Sequence, residues 1–407
     1  MGFWFWQGRW PVVWAITAAS AIFAGGLLIT GSPQLAWRLL AVRSLFPDFA
    51  DLRTITHSID CVAKGLDPYT TGVCDPWGRL YNYPSIWLHL GAIGISSAST
   101  NVIAGVFILL LCATLLLAYD TRTVASGALA FAAVVSPPVL LLVERGNIDA
   151  VIFAGLVIPL FLMAKRSGVV TTCSLCGLIA FLAILKIYPI AAAIVLAHRK
   201  FGFAAMAFAV VLAVTGLLCA VGLSELKTIA QNTPQTLGMS YGDMPIFIAA
   251  NSRHLLPTNL DAGMLRMVAG ITAIVLAALA FSLSLFYSNV LRSLLPVLDP
   301  TVSIGAVAIA CVAIFCFSFL LGTNFDYRLV FLLGVMPVLL NAYDAEQRFG
   351  TLLAAAAIVL FLWLSRISSY VLVPFEVLDW SLFTVGVMWL TQTVFLQSPV
   401  NDQPLPG

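Results

Sequence analysis

Long apolar runs separated by short polar breaks make up most of the chain, and one break, Phe46 to Pro84, is both long and rich in acid. Runs able to cross about 30 Å of hydrocarbon, or nearly so, fall at 11–30, 101–118, 126–143, 150–164, 169–186, 187–198, 202–222, 266–287, 300–321, 328–342, 350–365 and 380–396. They predict an all-α polytopic protein of about 12 transmembrane helices, built as a single integral membrane domain over 1–407. The run 187–198 is too short to cross alone, and Pro189 predicts a kink at its start. The stretch 84–100, PSIWLHLGAIGISSAST, is apolar but interrupted by His89, two glycines and a Ser/Thr tail, which predicts a helix lying in the interface.

With 84–100 kept out of the bilayer core, Arg9, Arg122, Lys165, Arg166, Arg199, Lys200, Arg292 and Arg348 all fall on one face, which the bias of basic loops makes cytoplasmic. The opposite face then carries a first external loop at 31–100, with interfacial helices, and a second at 223–265. It also gathers the ERGNID turn at 144–149, LKIYP at 185–189, GTNFDYR at 322–328 and SRISSYVLVPFEVLDW at 365–380. The N-terminal MGFWFWQGRW leads into an apolar run with no small-residue cleavage signal, so a retained first helix is expected. The tail NDQPLPG reads as a short disordered end.

Composition sharpens this picture. A hydrophobic share of 61%, a charged share of 9% and a mean hydropathy of +1.01 exclude a soluble globular chain. The net charge of +2 is dispersed, and without a lysine or arginine run there is no footprint for nucleic acid. The four histidines are scattered without metal-ligand spacing, so no structural metal is expected. P-loop, dinucleotide-binding and nucleophile-elbow motifs are absent from the sequence.

Chemistry-bearing residues cluster in the polar breaks. Asp51, and with the same standing Asp48, lies just outside the first helix, where a carboxylate can take a proton from a hydroxyl; the plain alternative is a solvated loop aspartate. Glu144, Arg145, Asn147 and Asp149 read either as a cap and turn bent at Gly146 or as a polar site in which Arg145 meets phosphate or carboxylate. Lys186 is a single charge in an apolar run, hence a functional candidate by default, against the alternative of a side chain reaching to the interface beside Tyr188. Arg328 could meet a lipid phosphate or pair with Asp326. Cys61 and Cys74 form a disulfide if their loop faces an oxidising compartment, worth roughly 3 kcal/mol. Cys173 and Cys176, inside an apolar run, read as small helix-packing residues.

Taken in order, Asp51-Leu-Arg, Gly65-Leu-Asp67-Pro68-Tyr69, Tyr81-Asn-Tyr83-Pro84, Arg145-Gly146-Asn147 with Asp149, and Lys186-Ile-Tyr188-Pro189 resemble the GT-C superfamily of membrane glycosyltransferases. The first three are similar to glycosyltransferase family 87, and the last two to the first mannosyltransferase of GPI-anchor assembly. The resemblance implies inverting transfer of a hexose, with mannose the expected sugar, from a polyprenyl-phosphate donor to a lipid-linked or glycan acceptor in glycolipid biosynthesis. It also implies an active site on the periplasmic or exterior face of a bacterial inner membrane. Asp51, with Asp48 as neighbour, would be catalytic, while Lys186, Arg145, Arg328, Asn147, Asp149, Tyr188 and Tyr83 would bind donor phosphate or substrate. The sequence has Tyr83-Pro84-Ser85 where YPP is common, and Asp48 and Asp51 stand as DxxD where some relatives have paired acids, which leaves a divalent cation open. The rival class is a transporter or flippase of a lipid-linked sugar, for which polar groups near the midplane and an internal repeat would speak; the polar groups here concentrate at one face and the halves do not match.

Overall fold

The computed structural model describes residues 8–163, 166, 168–197, 210–212, 216, 222–234, 240–256, 261–299, 302–368 and 370–395. The expected span 202–222 lies outside these residues apart from its few described positions, as do Lys165, Arg199, Lys200, residue 198 of the run 187–198, and both chain ends. Among the described residues seven helices are long and apolar enough to cross a membrane: Trp10–Thr30, Ser97–Ala118, Val124–Arg145, Ala262–Phe286, Asp326–Glu346, Phe349–Ile367 and Leu372–Val394. A rise of 1.5 Å per residue makes the first of them about 31 Å long, enough for the hydrocarbon core. Three shorter apolar helices among the described residues, Asp149–Met163, Val169–Leu185 and Ser303–Phe319, join them. The protein is thus mostly helical, with one antiparallel pair of two-residue strands among the described residues, Ser240–Tyr241 with Asn324–Phe325.

Ser303–Phe319 runs through the interior, with nearly every side chain buried. It contacts Asp149–Met163, the 3-10 turns Tyr188–Ala193 and Asp326–Gly334, and Leu372–Phe395. The approach of this last helix is close: a methyl on Gly386 would lie 2.8 Å from Cys316 Sγ, so a residue without Cβ is needed there. The span Val124–Arg145 is two helices in line, Val124–Val134 and Pro137–Arg145, broken where Pro137 and Pro138 remove backbone donors.

Two segments depart from the sequence reading. The stretch 365–380 is not a loop: after a short 3-10 turn the helix begins at Leu372 and carries Glu376 and Asp379, both fully buried. Spaced i, i+3, these two share one helix face turned into the protein, and their charges interrupt the hydropathy pattern without marking water. The second loop is also shorter than 223–265, because Asp261 caps a helix starting at Ala262, accepting from Met264 N at 2.8 Å.

The first loop is structured throughout. Its helix Ala50–Ala63 is amphipathic, burying Leu52, Ile55 and Ile59, and packs on a 3-10 helix, Ser85–Ile93, with no buried residue of its own. At about 2.0 Å per residue, those nine residues cover roughly 18 Å, too little to cross a bilayer.

Candidate active site

Four chain segments, widely separated in sequence, meet at one end of the bundle. The first is the loop helix itself. Its entry residue Phe49 is left-handed, with φ 67°, which turns Asp51 into the first helical turn, where the helix dipole favours a negative charge. The loop that follows is drawn back onto this helix by a Cys61–Cys74 disulfide with Cα atoms 5.8 Å apart. Asp75 organises the tip: it accepts from Trp77 N at 2.8 Å, Arg79 N at 3.2 Å and Thr54 Oγ1 at 2.8 Å. Arg79 is thereby aimed at the helix start, donating to Ala50 O at 2.6 Å and to Thr54, and pairing with Asp51 Oδ1 at 3.4 Å and Asp75 Oδ2 at 3.2 Å. Burial works against the Arg79 charge, but Asp51 and Asp75 outweigh it and raise its affinity for the proton.

The second segment is the elbow between Pro137–Arg145 and Asp149–Met163. Gly146 ends the first helix in the left-handed region, φ 57°, and a methyl there would press Phe49 Cβ at 3.1 Å. Close approach lets Glu144 grip the loop twice, its carboxylate accepting from Leu45 N at 2.8 Å and its carbonyl from Phe49 N at 2.8 Å. Arg145 pairs with Glu144 at 3.1 Å and stays 13% exposed. Asn147 caps the next helix, its Oδ1 accepting from Asp149 N at 3.0 Å, while its Nδ2 donates to Asp51 Oδ2 at 2.6 Å.

Lys186 and Tyr188 form the third segment and Asn324 to Arg328 the fourth. Both converge on Asp149, which is fully buried. Lys186 Nζ pairs with Asp149 Oδ1, Tyr188 donates to the same oxygen at 2.7 Å, and Arg328 Nε stands 3.5 Å from Oδ2. The rings of Tyr83, Tyr188 and Tyr327 surround the lysine ammonium at 5.6, 5.7 and 5.8 Å. Arg328 stacks on Tyr188 at 4.5 Å and donates to Asn324, so it pairs with Asp149 and not with Asp326. Lys186 and Arg328 are thus both paired with Asp149, while Asn147, Asp149 and Tyr188 are buried inside the protein.

In front of this network lies a cavity of about 230 Å³, mostly apolar in surface, whose polar side chains are Asp51, Thr54, Arg79, Asn82, Tyr83, Arg145 and Tyr327. Asp48 is not part of it. It borders a separate apolar cavity of about 340 Å³ beside Trp37, Leu111 and Val139, and burial there raises its carboxyl despite Trp37 and Arg53, which act the other way. Asp51 is therefore the single acidic side chain among the described residues lining the first cavity.

Compared with known proteins, the chain matches no family model, no curated protein and no solved structure. Chemical meaning must come from the arrangement itself: one carboxylate, held on one edge by Asn147 and on the other by Arg79, faces a cavity it shares with a second guanidinium, Arg145. Such a wall suits an anionic ligand carrying a hydroxyl to be deprotonated. Arg79, Asp75 and Thr54 were not singled out in the sequence. The signal available was an Asp and an Arg four apart around the turn-forming Pro76-Trp77-Gly78, next to a cysteine.

Proposed function

We propose that this chain is an inverting glycosyltransferase that moves a hexose, with mannose the first to try, from a polyprenyl-phosphate donor to a lipid-linked or glycan acceptor. We place the reaction at the periplasmic or exterior face of a bacterial inner membrane. The observation that carries the reading is Asp51 at the wall of a cavity it shares with Arg79 and Arg145, at the junction of membrane helices and the first loop. Asp51 takes the proton of the acceptor hydroxyl as its oxygen bonds to the anomeric carbon. The bond from that carbon to the phosphate oxygen breaks on the opposite side, and polyprenyl phosphate leaves with the electron pair, its charge met by Arg145 and Arg79. The donor brings its own activated leaving group, so positioning and charge stabilisation are the protein's whole task.

One observation favours the second reading, a flippase of a lipid-linked sugar: the buried Asp149–Lys186–Arg328 cluster, since ionisable groups between membrane helices often line a pathway. Proteoliposomes loaded with a polyprenyl-phosphate sugar separate the two. A transferase releases polyprenyl phosphate and yields a glycosylated acceptor, whereas a flippase moves intact donor between leaflets and releases none.

A further inference from the structure

Asn147 has no exposed surface, yet every hydrogen-bonding group of its side chain is engaged. Its Oδ1 accepts from Asp149 N at 3.0 Å and from Lys186 Nζ at 3.3 Å. Its Nδ2 donates to Asp51 Oδ2 at 2.6 Å and reaches the Tyr83 hydroxyl at 3.3 Å. An amide can ordinarily flip end for end, but an ammonium and a backbone N–H are both donors and admit only oxygen on their side. The nitrogen is thereby forced toward Asp51. Resting on the transferase reading, we infer that Asn147 is the positioning residue for Asp51, and that Lys186 and Asp149 serve the reaction through its amide and not by touching substrate.

The chain of contacts explains why a charged triad is built so close to the cavity without lining it. Asp149 anchors Lys186; Lys186, with the first backbone N–H of the following helix, fixes the face of the amide; the amide fixes one edge of the Asp51 carboxylate. Arg79 meets the other carboxylate oxygen at 3.4 Å, a looser contact that leaves that edge available to an acceptor hydroxyl. The same Nδ2 orients Tyr83, so a single side chain sets two groups of the cavity wall. Positional control of this kind matters because a general base works only within hydrogen-bond reach and in line with the proton it takes.

The test is a double-substitution cycle. Asn147→Ser keeps a helix-capping oxygen but is too short to reach Asp51, separating the cap from the positioning contact. Turnover at saturating donor and acceptor should fall by about 10- to 100-fold, the range expected for losing a hydrogen bond to a charged group, with donor KM moving by less than about threefold. In an Asp51→Asn background the same change should alter the residual rate by less than about threefold, because residues that act as a unit do not add. Asn147→Asp, nearly the same shape but with an oxygen facing Asp51, should be at least as slow, and thermal unfolding of both variants checks that they fold. Full turnover in Asn147→Ser, a donor KM that rises while turnover holds, or losses that multiply in the double variant would each overturn the inference. Absence of transfer by the wild-type protein, or full turnover by Asp51→Asn, removes the transferase reading and this inference with it. An inactive Asp51→Asn beside a fully active Asn147→Ser removes this inference alone.

Discussion

Replacing Lys186 with methionine keeps most of the side chain's length and deletes its charge. What is left around Asp149 is the Tyr188 hydroxyl at 2.7 Å and Arg328 Nε at 3.5 Å, with the carboxylate itself fully buried. Removing one partner of a buried ion pair costs about 3–5 kcal/mol, because the other charge is stranded. Arg328 still offsets part of that charge, so the lower end, about 3 kcal/mol, is the expected loss. Asn147 also gives up one of the two donors to its Oδ1, adding about 1 kcal/mol. A lysine that merely reached the interface would be replaceable within about 0.5 kcal/mol. Unfolding of purified protein in lipid micelles, followed for Lys186→Met, Asp149→Asn and the pair, distinguishes these cases. Each single variant should be destabilised, and the double should be more stable than the sum of the two losses by about 0.5–3 kcal/mol. A Lys186→Met protein as stable as wild type, or strict additivity, would refute the buried pair.

Opening the Cys61–Cys74 bridge by Cys61→Ser should cost roughly 3 kcal/mol of loop-closure entropy and speed proteolysis within 64–84; an unchanged cleavage rate would mean that the Asp75–Arg79 turn holds the loop unaided. Glu225 fastens the helix Leu223–Asn232 to the first loop by accepting from Tyr69 Oη at 2.9 Å and Ser85 N at 2.6 Å. Burial raises its carboxyl, but the bonds from Ser85 and Tyr69 prevail and lower it below the ordinary glutamate value. A lowered folded-state value means that the latch contributes above that ordinary value and is lost as pH falls through and below it. Amide protection in 223–232 should therefore drop on acidification below about pH 4 and in Glu225→Gln at neutral pH, and equal protection in all conditions would exclude the latch. For sidedness, exposed Thr70→Cys should react with a membrane-impermeant reagent on intact cells and exposed Arg122→Cys should not; labelling of the latter would reverse the proposed orientation.

The polar breaks were legible as the place to look, since an ionisable group in an apolar run must find a partner or water. ERGNID, Lys186-Ile-Tyr188 and Asn324 to Arg328 do meet, around Asp149. Partner choice was not legible: Arg328 has Asp326 two residues away yet pairs with Asp149, a contact set by how helices pack and not by spacing. For the same reason the pairing of Lys186 with a carboxylate 37 positions away was not legible. Glu376 and Asp379 misled in the opposite direction, lowering hydropathy at a helix face that turns inward, so that the helix from Leu372 read as a loop up to Trp380. By residue type and position Asp48 and Asp51 could not be told apart, and only the family resemblance favoured Asp51. The left-handed turn at Phe49 sends them to different cavities, and no residue-type signal announces a positive φ at a phenylalanine.

The central claim, that Asp51 is the base of a glycosyl transfer from a polyprenyl-phosphate sugar, is tested most directly by measuring polyprenyl phosphate release. The purified protein, held in lipid nanodiscs, would be offered a panel of polyprenyl-phosphate hexoses and a membrane glycolipid extract as acceptor. Wild-type protein should release polyprenyl phosphate with at least one donor, and Asp51→Asn should be slower by about 10²–10⁴-fold with donor binding retained. Asp48→Asn, whose carboxylate borders the other cavity, should stay close to wild type. Equal release by wild type and Asp51→Asn, or release lost only in Asp48→Asn, would contradict the account.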